Sequence, residues 1–222
     1  GGIHLQQLIF KDVMTQKWYI YLTSVAWFIL FTNFFTDGSP IRHVMLLSFL
    51  PAWLAFCSNG NTKSFEKESA LLISLPVKRS EVVRAKYAAS FLWFGLSTIA
   101  IIVYIFLYDK LAPFPTRMMH VDELFLAFSI FLFLVAIFYP VLFRAGYQVA
   151  TIVLVVITGF GLMAMQISFN MLRNPRLVEF HQFVEGLSAN QLNVTIAFVF
   201  ISVICFILSY LLSVRIFNKR DL

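Results

Sequence analysis

The chain has 222 residues, of which 60% are hydrophobic and 13% charged, with 26 Phe and a formal net charge of +6. A soluble domain carries roughly 25% charged and 45–50% apolar residues, so a water-surrounded globule is excluded and the solvent is a lipid bilayer. The surplus positive charge lies in the connections between apolar segments, which membrane topology accounts for without nucleic acid as a partner.

The Gly-Gly start reads as a processed or tagged terminus, and no signal-peptide cleavage site follows the first apolar run. Within 3–17, Leu5, Leu8, Ile9 and Val13 recur at helical spacing while Gln6, Gln7, Lys11 and Gln16 point elsewhere. This stretch is too short and polar to span, and is expected to lie in the interface as an amphipathic helix. Trp18, Tyr19 and Tyr21 then mark a headgroup-level aromatic belt.

Six segments approach the ~20 apolar residues that a spanning helix needs: 18–36, 41–59, 87–108, 124–143, 147–168 and 192–214. The second has the weakest signal, an apolar run of 44–58 that carries Pro51 and reaches full length only with its flanks. With both termini cytoplasmic, 12 Lys and Arg fall inside and 5 outside, so the positive-inside rule favours that orientation. Cys57 and Cys205 both lie in apolar segments, where two small buried thiols are expected rather than a disulfide.

The connections differ in character. Asp37-Gly-Ser-Pro40 has the residue chemistry of a tight turn. Between 109 and 123, Pro113 and Pro115 exclude a helix through the centre. Between 170 and 191, Asn174 and Pro175 fit an N-cap and first helical position. Leu177, Phe180, Val184 and Leu187 follow as an apolar face, with Gly186 near its end. The expectation is a short outer helix, with packing or substrate gating as its role. On the inner side, Arg144-Ala-Gly146 is so short that the fourth and fifth spans are antiparallel neighbours, and Pro140 is expected to bend the fourth. Gly159 and Gly161 allow close packing or a local irregularity in the fifth span.

With the second core taken as its apolar run 44–58, which leaves Arg42 on the flank, no Asp, Glu, Lys or Arg lies within the six cores. Charges at that depth mark ion paths, proton relays and voltage sensors, so a proton-coupled carrier and a voltage-gated channel are disfavoured. Intramembrane catalysis is disfavoured too: His4, His43, His120 and His181 sit at ends and loops, and no metal-ligand spacing occurs. The polar groups that reach membrane depth include Asn33, Gln166 and Asn170. They serve as interhelical glue or as contacts for a transported molecule. Phe125, Phe128, Phe131 and Phe133 in the fourth span would suit apolar cargo or face lipid. The sequence also lacks a phosphate-binding loop of the Gly-x-x-x-x-Gly-Lys-Ser/Thr form. Any uphill transport must therefore be driven by another subunit.

The long polar interruption at 61–86 holds six of the seventeen Lys and Arg and three of the eleven acids. Ser64 can cap a helix over 65–75 whose first turn carries Glu66 and Glu68, and Pro76 stops it. Ser80 can cap a second helix, opened by Glu81 and running through Lys86 into the third span. Charge alone would make this a patch for anionic lipid headgroups, as in a membrane scaffold or sensor that transports nothing.

The order of its residues is more particular. Phe65-Glu-Lys-Glu68, Leu71-Leu-Ile-Ser-Leu-Pro76, Lys78-Arg79, Glu81-Val-Val and Lys86-Tyr87 resemble the loop between spans two and three of ABC-2-type exporter permeases. The overall plan is similar as well: an interfacial helix, six spans, and a structured outer loop before the last. The resemblance implies an all-α membrane protein, one transmembrane domain over 1–222, whose cytoplasmic coupling helix docks on a separate ABC ATP-binding subunit. It implies a set of residues coupling to that subunit, Phe65, Glu66, Lys67, Glu68, Leu71, Leu72, Leu75, Pro76, Arg79 and Glu81, in which Glu66, Lys67, Glu68 and the following helix make the contact and Leu75-Pro76 and Arg79 shape the turn. ATP and magnesium would belong to the partner, leaving no cofactor here. A second permease copy would complete the path among membrane lipids, and the small bacterial permeases it resembles export amphipathic peptides or antimicrobial compounds. Staphylococcal exporters of phenol-soluble modulin peptides are among them.

Overall fold

A computed structural model of the chain describes residues 9–10, 14, 18–35, 39–59, 78–111, 118–174, 182, 186 and 191–219. Among the described residues six helices carry the fold: α1 (Trp18–Phe35), α2 (Ser39–Cys57), α3 (Arg79–Leu111), α4 (Val121–Ala145), α5 (Tyr147–Arg173) and α6 (Gln191–Asn218). The described residues contain no strand. The expected interfacial helix over 3–17 falls largely outside them, although Ile9, Phe10 and Met14 are helical. Most of the expected outer helix lies outside them too, with Gln182 and Gly186 helical.

Four helices are long and apolar enough to cross a membrane: Arg79–Leu111, Val121–Ala145, Tyr147–Ser168 and Asn193–Asn218. The other two are shorter, and at 18 and 19 residues α1 and α2 rise about 27–29 Å. That nearly matches the ~30 Å hydrocarbon core of a bilayer. With 33 residues, α3 extends about 50 Å and must project beyond the core.

The segment with the weakest spanning signal is the best buried. α2 packs on α4, α3 and α1, and more lightly on α5. Its residues Leu46, Leu47, Phe49, Leu50, Leu54 and Ala55 are all buried. It begins at Ser39, so Pro40 lies in its first turn, where a missing N–H costs nothing; Ser39 and Pro40 are therefore helical rather than part of the expected tight turn. α4 is the other central element and makes its most extensive contact with α6. It is helical through Pro140 to Ala145. Phe131 is fully buried against Phe94, at 4.9 Å between ring centroids, so it is core rather than a pathway or lipid-facing group. Phe125, at 48% exposure, does face outward.

The α4–α5 link works as its sequence implies. Gly146 has φ +85° and donates its N–H to Leu142 O at 3.0 Å, a conformation that penalises a Cβ. It turns the chain with one residue between helices and makes α4 and α5 packed neighbours. In α5, a Cβ on Gly161 would stand 3.2 Å from the Phe49 ring, whereas one on Gly159 would meet nothing within 4 Å. Gly161 thus serves the close approach of α5 to α2, and α5 stays helical through both glycines.

Candidate functional site

Cross-helix bonds define two ends of the bundle. The end of α2, the start of α3 and the ends of α4 and α6 meet through Asn59, Arg79, Lys86, Tyr139 and Phe217. At the other end, His43 of α2 meets Glu123 of α4, and Arg42 lies 4.9 Å over the Tyr108 ring of α3. Among the described residues, the first end holds seven Lys and Arg with Glu81 its one acid. The second holds Arg42, Lys110 and Arg173 against Asp109, Asp122 and Glu123. The first is therefore a basic end, and Asn59 and Lys78, which flank 60–77 in the chain, both lie there.

Of the sequence-predicted coupling residues, Phe65, Glu66, Lys67, Glu68, Leu71, Leu72, Leu75 and Pro76 lie outside the described residues. Arg79 and Glu81 are described, both half-buried in the first turn of α3. The helix starts earlier than Ser80 would place it: Glu81 and Val82 donate their N–H groups to Lys78 O, so Lys78 holds the cap position. The Arg79 guanidinium reaches across to α6, donating from Nη1 to Phe217 O at 3.2 Å and Asn218 O at 3.3 Å. The carbonyls at a helix C-terminus lack intrahelical donors and carry partial negative charge, so this contact closes α6. Val82 and Val83 are buried in the cluster that includes Phe143 and Phe217. The valines of the Glu-Val-Val motif therefore anchor the segment and do not face a partner.

One helical turn deeper, Lys86 is 3% exposed and Asn59 2% exposed. Lys86 Nζ donates to Asn59 Oδ1 at 2.9 Å, and Asn59 Nδ2 donates back to Ala55 O at 2.8 Å. Tyr139 of α4 donates its hydroxyl to Lys86 O at 2.9 Å. Beside it, Tyr87 OH lies 2.7 Å from Ser209 Oγ and 2.8 Å from Ser213 Oγ, and Ser209 donates to Ala136 O at 2.6 Å. Each hydroxyl has one proton, and Ser209 spends its own on α4. The bonding order is therefore Ser213 to Tyr87, Tyr87 to Ser209, and Ser209 to the Ala136 carbonyl. The Tyr87 ring packs at a tilt against Tyr139, 4.6 Å between centroids, and edge-on against Phe206 at 5.1 Å. This polar layer joins α2, α3, α4 and α6.

These residues went unassigned in the sequence because Asn59 and Lys86 fall at the margins of apolar segments. The one available signal was Ser209 and Ser213, a turn apart on one face of the last helix, next to the Lys86-Tyr87 pair already prominent in 61–86. Charge avoidance in the spans also has a limit at the margins: Lys86 and Glu123, just outside the drawn cores, are both buried.

The path residues are not gathered into one place. Gln166 is half-buried and Asn170 exposed, one turn apart on α5, and the Asn33 side chain lies outside the described set. A groove of about 500 Å³ runs between α4 and α6 near the opposite end, lined by Val121, Phe125, Ile196, Val199 and Phe200 with Asp122 and Thr195, and by none of the three. Among the described residues no group of three or more His, Cys, Asp or Glu could hold a metal ion.

A family model described as ABC-2 family transporter protein matches residues 7–218. No curated protein and no solved structure matches the chain.

Proposed function

The chain belongs to the ABC-2 family of transporter proteins, and on that premise we propose that it is an exporter permease driven through its 61–86 segment. Membership makes it the membrane component of an ABC transporter, working with an ABC ATP-binding subunit. In our reading, six helices span the bilayer with the basic end and both termini in the cytoplasm, where the excess of Lys and Arg belongs. The ATP-binding subunit docks on Phe65, Glu66, Lys67, Glu68, Leu71 and Leu72 and holds the ATP and magnesium. Two copies of the chain, in contact with membrane lipid, enclose the path. The cargo is an amphipathic peptide or a lipophilic antimicrobial compound, in keeping with apolar helices that carry few polar groups.

The observation that supports this reading is the buried polar layer at the basic end. A segment that only bound lipid headgroups would need charge but no fixed base. Here both its ends, Asn59 and Arg79–Lys86, are bonded into the bundle.

The test is to replace Glu66 and Glu68 together by Lys and purify the chain in mild detergent with its ATP-binding subunit. Loss of that subunit, or a fall in the ATP hydrolysis of the complex of at least about tenfold, is the expected outcome. Unaltered assembly and hydrolysis would remove the docking role. Recovery of the unsubstituted chain with anionic lipid and without any ATP-binding subunit would favour a membrane scaffold.

A further inference from the structure

A force applied to 61–86 has two covalent routes into the bundle, and they differ in stiffness. Toward α3 the route is rigid, because one continuous helix runs from Arg79 to Leu111. Toward α2 it passes through the turn at Ser58 and Asn59, beyond the last helical residue, Cys57. Left to itself that turn would flex, and a displaced segment would swing α3 while α2 stayed behind. The side chains prevent this. Ser58 Oγ and Asn59 Nδ2 both return to Ala55 O, at 2.6 and 2.8 Å, which stiffens the end of α2. Asn59 Oδ1 then takes the Lys86 ammonium at 2.9 Å, and the Tyr139 hydroxyl holds the Lys86 carbonyl at 2.9 Å.

We propose that Asn59, Lys86 and Tyr139 form a clasp that makes the ends of α2 and α3 and the adjoining turn of α4 one mechanical unit, so that motion imposed on 61–86 reaches all three helices together. The proposal rests on the reading of 61–86 as the coupling segment. The choice of residues fits this task better than it fits stability alone. Desolvating an ammonium is costly, and an apolar pair of similar volume would hold the helices at least as firmly. What the ammonium adds is a charge-assisted donor that only an oxygen partner can satisfy, and Asn59 Oδ1 supplies one. All three are positioning residues, acting through the helices they join.

The test uses the full chain with its copurified ATP-binding subunit in lipid nanodiscs. Cys57 and Cys205 are replaced by Ser, and Cys is introduced at Ile196, which is 57% exposed on α6 far from the clasp. Maleimide labelling of that Cys, with and without ATP and orthovanadate, reports whether the opposite end responds to nucleotide. The clasp predicts a response of at least about fivefold in the otherwise unaltered complex. Asn59→Leu should keep the ATP-binding subunit and hydrolyse ATP within about twofold of the parent, with the labelling response abolished. Asn59→Asp, which still offers Lys86 an acceptor oxygen, should restore it.

A full labelling response in Asn59→Leu would overturn the proposal, as would loss of response in strict proportion to loss of the ATP-binding subunit. Should Asn59→Leu not accumulate in the membrane, Tyr139→Phe deletes one hydroxyl and little packing, and an undiminished response there would equally overturn it. Absence of any ATP-binding subunit from the unsubstituted chain would instead overturn the coupling reading beneath it.

Discussion

At the basic end, α2, α3, α4 and α6 share a layer in which one ammonium, one amide and several hydroxyls divide the bonding among them. At the opposite end, α2 and α4 meet through two titratable groups, His43 Nδ1 donating to Glu123 Oε2 at 3.0 Å. Glu123 also accepts the backbone N–H of His120 at 3.3 Å, so one carboxylate serves both its own helix start and the neighbouring helix. The difference lies in how each end would yield. A layer whose hydroxyls share the bonding tolerates the loss of one of them, since a stranded Ser can return its proton to a carbonyl one turn back. A carboxylate hub cannot be replaced from nearby. The bundle is thus held by a shared layer at the basic end and by a concentrated contact at the opposite end.

Removal of the hub is the sharpest way to break this comparison. Glu123→Ala leaves the buried His43 donor and the His120 N–H without that acceptor, and should cost about 2–3 kcal/mol, read from unfolding in mixed micelles. Tyr87→Phe, which removes the hydroxyl between Ser209 and Ser213 and keeps the ring packing, should cost about 1 kcal/mol in the same measurement. If the two came out equal, the basic layer would not be sharing its load. Arg79→Ala should be the mildest, about 0.5 kcal/mol or less and shrinking further with added salt, because a partly exposed charge at a helix C-terminus is screened by solvent.

Much of the helix order was legible, because hydropathy along the chain is local information. The segments that read as spans became helices, and the short Arg144-Ala-Gly146 connection paired α4 with α5 as its length required. Helix ends were less legible: α3 starts at Arg79 where Ser80 was expected to cap, and α6 reaches Asn218 beyond the apolar run that ended near 214. Those ends are fixed by contacts the chain makes elsewhere, Arg79 with the last carbonyls of α6 above all. Of the expected coupling residues, Arg79 and Glu81 lie at the bundle's edge, and the path residues Gln166 and Asn170 remain on α5 without a shared cavity.

By itself, the sequence determined the solvent and the helical class, and marked 61–86 as the long polar interruption of the first half. Those follow from composition and from periodicity read a few residues at a time. The tertiary structure decided that the weakest apolar segment, α2, is central, and that Asn59 and Lys86 face each other across the base of that polar segment. It also paired Tyr87 with Ser209 and Ser213, and His43 with Glu123. Such pairs join residues 27 to 126 positions apart. A buried polar group is stable only beside its partner, and which partner it meets depends on how the helices pack rather than on its neighbours in the chain.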